Sequence, residues 1–173
     1  MNIVLMGYMG CGKSLVGSAL SNHLQFEYID LDHHIETQEK KSVSSIFEDK
    51  GEVYFRKIEK ESLKTILKMN DNIILSLGGG TPCFSGNLEI LKENENTQSI
   101  YLKTSLDELV SRLFDERNKR PLIAHLETKE ALHDFIRKHI FERSFYYNQA
   151  NYSITTDGKT PEEICEEIKT ILF

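Results

Sequence analysis

The sequence predicts an α/β domain in which a parallel sheet of about five strands is covered by helices on both faces. Three observations carry this expectation. Short apolar runs alternate with longer segments of helical period along the 173 residues, as a parallel sheet requires when a helix makes each crossover. The first apolar run, Ile3-Val4-Leu5-Met6, passes through Gly7-Tyr8-Met9-Gly10-Cys11-Gly12-Lys13-Ser14 into a segment of helical spacing at 15–20. That is strand, glycine loop and helix in the order a phosphate-binding P-loop needs. A chain of this length is most simply one domain with a sizeable core.

In that loop the glycines allow the tight turn that points successive N–H groups at phosphate oxygens. The helix expected from about Lys13 adds unpaired N–H groups and the positive end of its dipole. Lys13 is long enough to reach the β- and γ-phosphates, and the Ser14 hydroxyl suits Mg²⁺. The bland alternative is a glycine-rich turn with a solvated lysine. The full pattern with both flanking elements argues against it.

Composition narrows the class further. With 21 basic and 27 acidic residues the formal net charge is −6, which gives little support to nonspecific nucleic-acid binding. An acidic protein that handles phosphates must concentrate its cations locally, so single arginine positions are informative. Cys11, Cys83 and Cys165 are odd in number and widely spaced, which suggests a reducing compartment and shows no metal-ligand spacing. Cys11 lies inside the phosphate loop, either open to thiol reagents or filling the turn as a small residue. No apolar stretch approaches the roughly 20 residues that span a bilayer, and the early first strand leaves no space for a signal peptide. The expectation is a cytoplasmic monomer with neither nucleic acid nor membrane as partner.

Residues 26–29 read as the second strand and lead into Asp30-Leu31-Asp32. Carboxylates at the carboxyl end of a strand stand where ligands bind in open α/β sheets. An extended chain would point Asp30 and Asp32 to one side, one for Mg²⁺ and one for a substrate hydroxyl. The competing reading makes Asp32 the N-cap of a helix from His33 onward. Val43, Ile46 and Phe47 then recur at helical spacing, Gly51 interrupts, and Phe55, Leu63, Ile66 and Leu67 mark a long helix over about 52–68. Arg56 faces roughly as that stripe does, and Glu59 can pair with it, in a site or as an exposed ion pair.

Residues 72–77 form the third expected strand and run into Gly78-Gly79-Gly80-Thr81-Pro82. Three glycines after a buried strand point to close approach of backbone to a ligand. The aspartate of the usual second NTPase motif is missing here, which leaves Asp30 for the Mg²⁺ side. A short helix over 88–93, a fourth strand over 99–102 and a helix over 106–114 follow. Residues 115–124 include Arg117, Lys119 and Arg120, hold no helical stripe, and read as a lid suited to triphosphate rather than a solvated loop. Helical period resumes from Thr128 on Leu132, Ile136 and Ile140. Arg143 is next on that face, where a guanidinium needs an anionic partner. Residues 151–156 make a fifth strand, and Thr160-Pro161 open the final helix with Glu162 and Glu163 in its first turn. The sum is a P-loop kinase-like three-layer sandwich.

Across essentially the whole chain, the ordered set of features resembles shikimate kinase. The set is the early phosphate loop, Asp30 with Asp32, Phe55-Arg56 with Glu59, Gly78-Gly79-Gly80, Arg120-Pro121-Leu122, and Glu142-Arg143 followed by Tyr146. The resemblance implies ATP-dependent phosphorylation of the 3-hydroxyl of shikimate, in aromatic amino-acid biosynthesis. It implies a catalytic set of Lys13, Asp32 and Arg120, with Asp32 holding the acceptor hydroxyls and either accepting or orienting the proton. Arg56 and Arg143 would clamp the carboxylate, helped by the backbone of Gly78, Gly79 and Gly80. ATP would meet Gly10, Cys11, Gly12, Lys13, Ser14, Leu15, Arg112 and Arg120, and Mg²⁺ would meet Ser14 and, through water, Asp30. Seven residues before Arg120, where the family often has an adenine-stacking arginine, this chain has Leu113; Arg112 beside it takes that assignment, and the adenine loop near Asp157 and Gly158 matches loosely. The expected parts are one domain over 1–173, an acceptor-binding segment over about 32–60, and a lid over about 113–124. The nearest rival is another small-molecule kinase of this architecture, and the rival of another class is a nucleotide-binding regulatory module.

Overall fold

The apolar runs become strands and the periodic segments become helices. The computed structural model describes residues 1–69, 71–84 and 86–173. Strands β1 (Asn2–Met6), β2 (Glu27–Asp30), β3 (Ile73–Ser76), β4 (Thr97–Lys103) and β5 (Tyr152–Thr155) pair in the order β2-β3-β1-β4-β5, all parallel. All five residues of β1 and all four of β3 are buried. Because neighbours in a strand point to opposite faces, both faces of the sheet must be covered. Ile3, Leu5, Ile74 and Leu75 are each 0 % exposed, and burial of a side chain of that size contributes about 1.5–3 kcal/mol. The edge strand β5 buries only Ile154.

The covering helices are α1 (Lys13–Leu24), α2 (Leu31–Glu39), α3 (Val43–Met69), α4 (Asn87–Glu93), α5 (Leu106–Glu116), α6 (Lys129–Tyr147) and α7 (Pro161–Leu172). Helix α1 packs on α7, α2 on α3, and α5 on α6. Local chemistry explains where several begin. Ser105 and Thr128 cap α5 and α6 by accepting from the N–H three residues on, and Thr160 forms a reciprocal capping box with Glu163 at α7. Inside α3, Gly51 takes φ 80° and ψ 172°. The interruption expected there is real, and helical geometry resumes on both sides of it.

Among the boundaries that differ from the sequence expectation, three bear on the site. The second strand starts at Glu27, and Asp30 rather than Asp32 caps the following helix, accepting the His33 N–H at 3.1 Å. Asp32 thus sits in the first turn of α2, and extended alternation is not what relates the two carboxylates. Helix α5 continues to Glu116, so the first residues assigned to the lid are helical. Its Leu113 is 0 % exposed, as is Ile123 beyond the short turn Arg117–Lys119.

The strand ends fix the position of the site. In the sheet register Leu5 stands beside Ser76 and Ser76 beside Asp30. One row at the carboxyl edge therefore delivers the phosphate loop, the glycine run and the carboxylate pair together.

Candidate active site

A cavity of about 750 Å³ opens at that edge, lined by 10–16 of the loop and first helix, by Asp30 and Asp32, and by Gly78 and Gly79. Its floor is built for an anion. Gly12 at the start of α1 has φ 100° and supplies no capping side chain, so the first N–H groups of the helix are free for a ligand. Lys13 Nζ donates to the carbonyls of Gly7 and Tyr8 at 2.8 and 3.1 Å, which holds the ammonium over the loop. The Tyr28 hydroxyl donates to Ser76 Oγ at 3.1 Å and is also hydrogen-bonded to Ser14. Gly17 makes room for this tyrosine, since a Cβ there would lie 2.4 Å from the ring. Cys11 is 1 % exposed, so it fills the turn and is not open to reagents.

The wall over this floor carries three cations, Arg112, Arg120 and Lys159, set among the carboxylates Asp115 and Glu116. Arg112 lines the cavity, donating to the Gly10 carbonyl at 3.2 Å and pairing with Glu108 at 2.8 Å. Leu113 instead lies beneath Gly10, where a Cβ would come within 2.9 Å of it. Helical register therefore brings Arg112 to the cavity and buries its neighbour. Arg120 also lines the cavity, paired with Glu116 at 2.9 Å, and its buried Nε has no partner among the described residues. Lys159, Pro161 and Ile164 complete the wall. Sequence reasoning misses these three and points to Asp157 and Gly158 instead. Asp157 in fact accepts from the Ser105 N–H and hydroxyl, a structural duty. A lysine just ahead of a Thr-Pro helix start is the signal that could have found the wall.

Beyond the cavity, the glycine run organises three charged side chains. A Cβ on Gly78 would lie 2.9 Å from Asp32 Oδ1, one on Gly79 would lie 3.5 Å from Arg143 Nη1, and one on Gly80 would lie 2.9 Å from Arg56 Nη2. Asp32, Arg143 and Arg56 are thus gathered along three consecutive residues. Arg56, Gly80 and Arg143 do not line the large cavity; they adjoin its end through Gly79.

The electrostatics of the three differ. Burial pushes the Asp32 carboxyl up to about 6, with Asp30 and Glu59 adding to the shift and Lys13 opposing it. Arg56 Nη1 donates to both oxygens of Glu59, at 3.0 and 2.9 Å, and Glu59 is 1 % exposed. The pair is buried, and the exposed surface pair that the spacing also allowed is not what forms. Arg143 has no carboxylate within ion-pair distance among the described residues; it lies 5.6 Å from the Tyr8 ring centroid and is hydrogen-bonded to Tyr147. Tyr147, fully buried, donates to the Gly79 carbonyl. The sequence pattern singles out Tyr146, which packs edge-on against Phe145. One step along the helix separates the two.

The oxygens present suit Mg²⁺. Oδ1 of Asp30 caps α2, whereas its Oδ2 takes no hydrogen bond from the described residues, and the Ser14 hydroxyl lies at the same cavity. Among the described residues there is no group of three or more His, Cys, Asp or Glu able to hold a metal. Mg²⁺ characteristically takes one or two carboxylates and completes its shell with water and substrate phosphates.

A parallel five-stranded sheet with a phosphate loop at its carboxyl edge, a cation-bearing wall and a buried carboxylate beside it defines a P-loop kinase. The family model for shikimate kinase matches residues 9–172. The chain is 45 % identical over 170 residues to the shikimate kinase of Flavobacterium johnsoniae, covering 98 % of each. It is 46 % identical over 171 residues to that of Flavobacterium psychrophilum, covering 99 % of this chain and 98 % of the other. Among solved structures, the shikimate kinase of Bacteroides thetaiotaomicron matches with a TM-score of 0.90 at 31 % identity, over 99 % of this chain and 98 % of that one. The Acinetobacter baumannii shikimate kinase, solved in complex with shikimate, matches with a TM-score of 0.85 at 31 % identity, over 99 % and 92 %. The chain belongs to the shikimate kinase family and is an enzyme of the kinase class.

Proposed function

We propose that the protein transfers the γ-phosphoryl group of ATP to the 3-hydroxyl of shikimate. The observation that carries this reading is the glycine run, where one carboxylate and two guanidiniums converge on three adjacent residues. A hydroxylated monocarboxylic acid needs such a set, with a base for the hydroxyl and cations for the acid. Arg143, an arginine without a carboxylate partner among the described residues, suits the second need. In the transfer, Asp32 orients the acceptor hydroxyl and takes its proton as the new O–P bond forms and the bond to the β–γ bridging oxygen breaks. Lys13, the N–H groups of α1 and Arg120 offset the charge on the phosphoryl oxygens. Arg112 and Lys159 serve the nucleotide side, and the part of the expected lid beyond the end of α5, residues 117–124, excludes water that would otherwise hydrolyse ATP. Ser14 and, through water, Asp30 would hold Mg²⁺, which when bound would offset negative charge on the phosphates. Coupled ADP release against a panel of hydroxy acids tests the reading. Release should depend on shikimate and be far weaker with the other acids. Equal release without an acceptor, or preference for an acceptor lacking a carboxylate, would overturn it.

A further inference from the structure

Arg56 is gripped at one edge and across one face. At the edge, Nη1 carries both hydrogen bonds to Glu59, and Glu59 in turn accepts from the Thr81 hydroxyl at 2.6 Å. Across the face, the Phe84 ring centroid lies 3.9 Å from Arg56 Cζ. That is closer than approach past a ring edge allows, so the guanidinium is stacked on the ring. Phe55 and Phe47 stand farther off, at 5.2 and 5.9 Å. Gly80 completes the slot, because a Cβ there would sit 2.9 Å from Nη2 and 3.5 Å from Phe84 Cε2. Nη2 makes no hydrogen bond to the described residues, and Nε makes none either, with only the Glu52 carboxylate 3.5 Å away.

We propose that Phe84 is a positioning residue for the acceptor. Its ring fixes the plane of the Arg56 guanidinium, so that the donor left over by Glu59 is held ready for the acceptor's carboxylate. This rests on the reading of Arg56 as part of the carboxylate clamp. The physical argument is pre-organisation. An arginine has several rotatable bonds, and ordering them on binding costs affinity unless the free protein has ordered them already. Glu59 alone fixes one nitrogen but leaves the guanidinium free to rotate about that contact. A ring face opposes that rotation and also attracts the cation. The ring is not needed for the local backbone. Phe84 N–H donates to Thr81 and its carbonyl accepts from Asn87, bonds that a different side chain leaves in place.

The test compares Phe84→Leu with Phe84→Tyr in the full chain. Leucine keeps apolar bulk without a ring face, whereas tyrosine keeps the face. Phe84→Leu should raise KM for shikimate about three- to tenfold, within the range of a cation–π contact, while KM for ATP stays at the parent value. Phe84→Tyr should restore the shikimate KM. Direct calorimetric binding of shikimate should weaken by the same factor in the leucine variant only. Parent-like binding by Phe84→Leu would overturn the proposal, as would equal losses for both substrates or failure of tyrosine to rescue. A parent protein that neither binds nor phosphorylates shikimate would overturn this proposal together with the function it rests on. A parent that does both, beside an unaffected Phe84→Leu, overturns this proposal alone.

Discussion

The molecule uses glycine twice, in the phosphate loop and in the run after β3, for different physical reasons. Gly12 has φ 100° and nothing within 4 Å of where a Cβ would be. It is needed for its backbone conformation, and space is not at issue. None of Gly78, Gly79 and Gly80 has a positive φ. Gly78 and Gly80 are needed because Asp32 and Arg56 occupy the volume a methyl group would take. At Gly12 the first region is a conformation that any phosphate can use. The second is a mould around particular side chains. On the proposed function, binding of nucleotide and choice of acceptor should therefore be separable by substitution.

The largest effect should come from the mould's carboxylate. Asp32→Asn keeps the shape and removes the base, so kcat should fall about 10²–10⁴-fold, the usual contribution of a positioned general base. Direct binding of ATP should be spared. If ATP affinity collapses while shikimate binding survives, Asp32 is the metal-side carboxylate and the roles of Asp30 and Asp32 exchange.

Next in size is Arg143. Unlike Arg56, which Glu59 neutralises, Arg143 has no carboxylate partner among the described residues, so its charge is open to a ligand. Arg143→Ala should cost shikimate binding or turnover roughly 2–5 kcal/mol, the range for losing one partner of a hydrogen-bonded charge pair. The methyl ester of shikimate should be a poor substrate for the parent for the same reason. With a direct contact, the variant should discriminate acid from ester far less than the parent does. Unchanged discrimination would assign Arg143 to the fold instead.

The glycines themselves sharpen the comparison at smaller magnitude. Gly12→Ala should weaken ATP binding through backbone strain of about 1–2 kcal/mol, despite the empty space. Gly80→Ala should raise KM for shikimate by displacing the end of Arg56, and leave ATP binding alone. Gly79→Ala, with its nearest neighbour at an ordinary 3.5 Å, should be the mildest of the three in shikimate KM. A Gly79→Ala effect larger than that of Gly80→Ala would mean that the run serves conformation after all.

This contrast also explains what is legible in the sequence. The phosphate loop is contiguous, and its flanking strand and helix announce themselves by period, so the residue pattern alone places Lys13 and Ser14. The strand ends likewise deliver Asp30, Asp32 and the glycine run to one edge. Contacts between elements are harder to read. Asp30 rather than Asp32 caps α2 because the strand yields to helix two residues earlier than the His33 start suggests. Tyr147 rather than Tyr146 meets Gly79 because one residue is about 100° of helix rotation. Helix α5 runs on through Asp115 and Glu116, beyond the last apolar position that marks its period. Phe84 and Lys159 lie on loops, where no periodicity reports which way a side chain faces.

The last expected effect is on stability rather than on turnover or affinity, and it follows from Asp32 being buried before any ligand arrives. Its carboxyl titrates at about 6 rather than the ordinary 3.8. A carboxyl whose folded value is raised binds its proton more tightly in the folded chain than in the unfolded one. The stabilisation this gives is fully present below about 3.8 and is lost as pH rises through about 6. At pH 8 the ionised Asp32 therefore burdens the free enzyme, by up to about 3 kcal/mol at 1.36 kcal/mol per unit. Asparagine is never ionised, so Asp32→Asn should unfold at a higher temperature than the parent at pH 8, by several degrees for a domain of this size. The gap should narrow as pH falls toward 5, where the parent's carboxyl is itself neutral. The parent's kcat/KM should fall over the same range, with an apparent pKa near 6, as the base is lost. Thermal unfolding of both proteins across pH 5–8 decides the matter. A variant less stable than the parent at pH 8, or a gap independent of pH, would mean that Asp32 is solvated in the free enzyme and that its basicity arises only once substrates close the site.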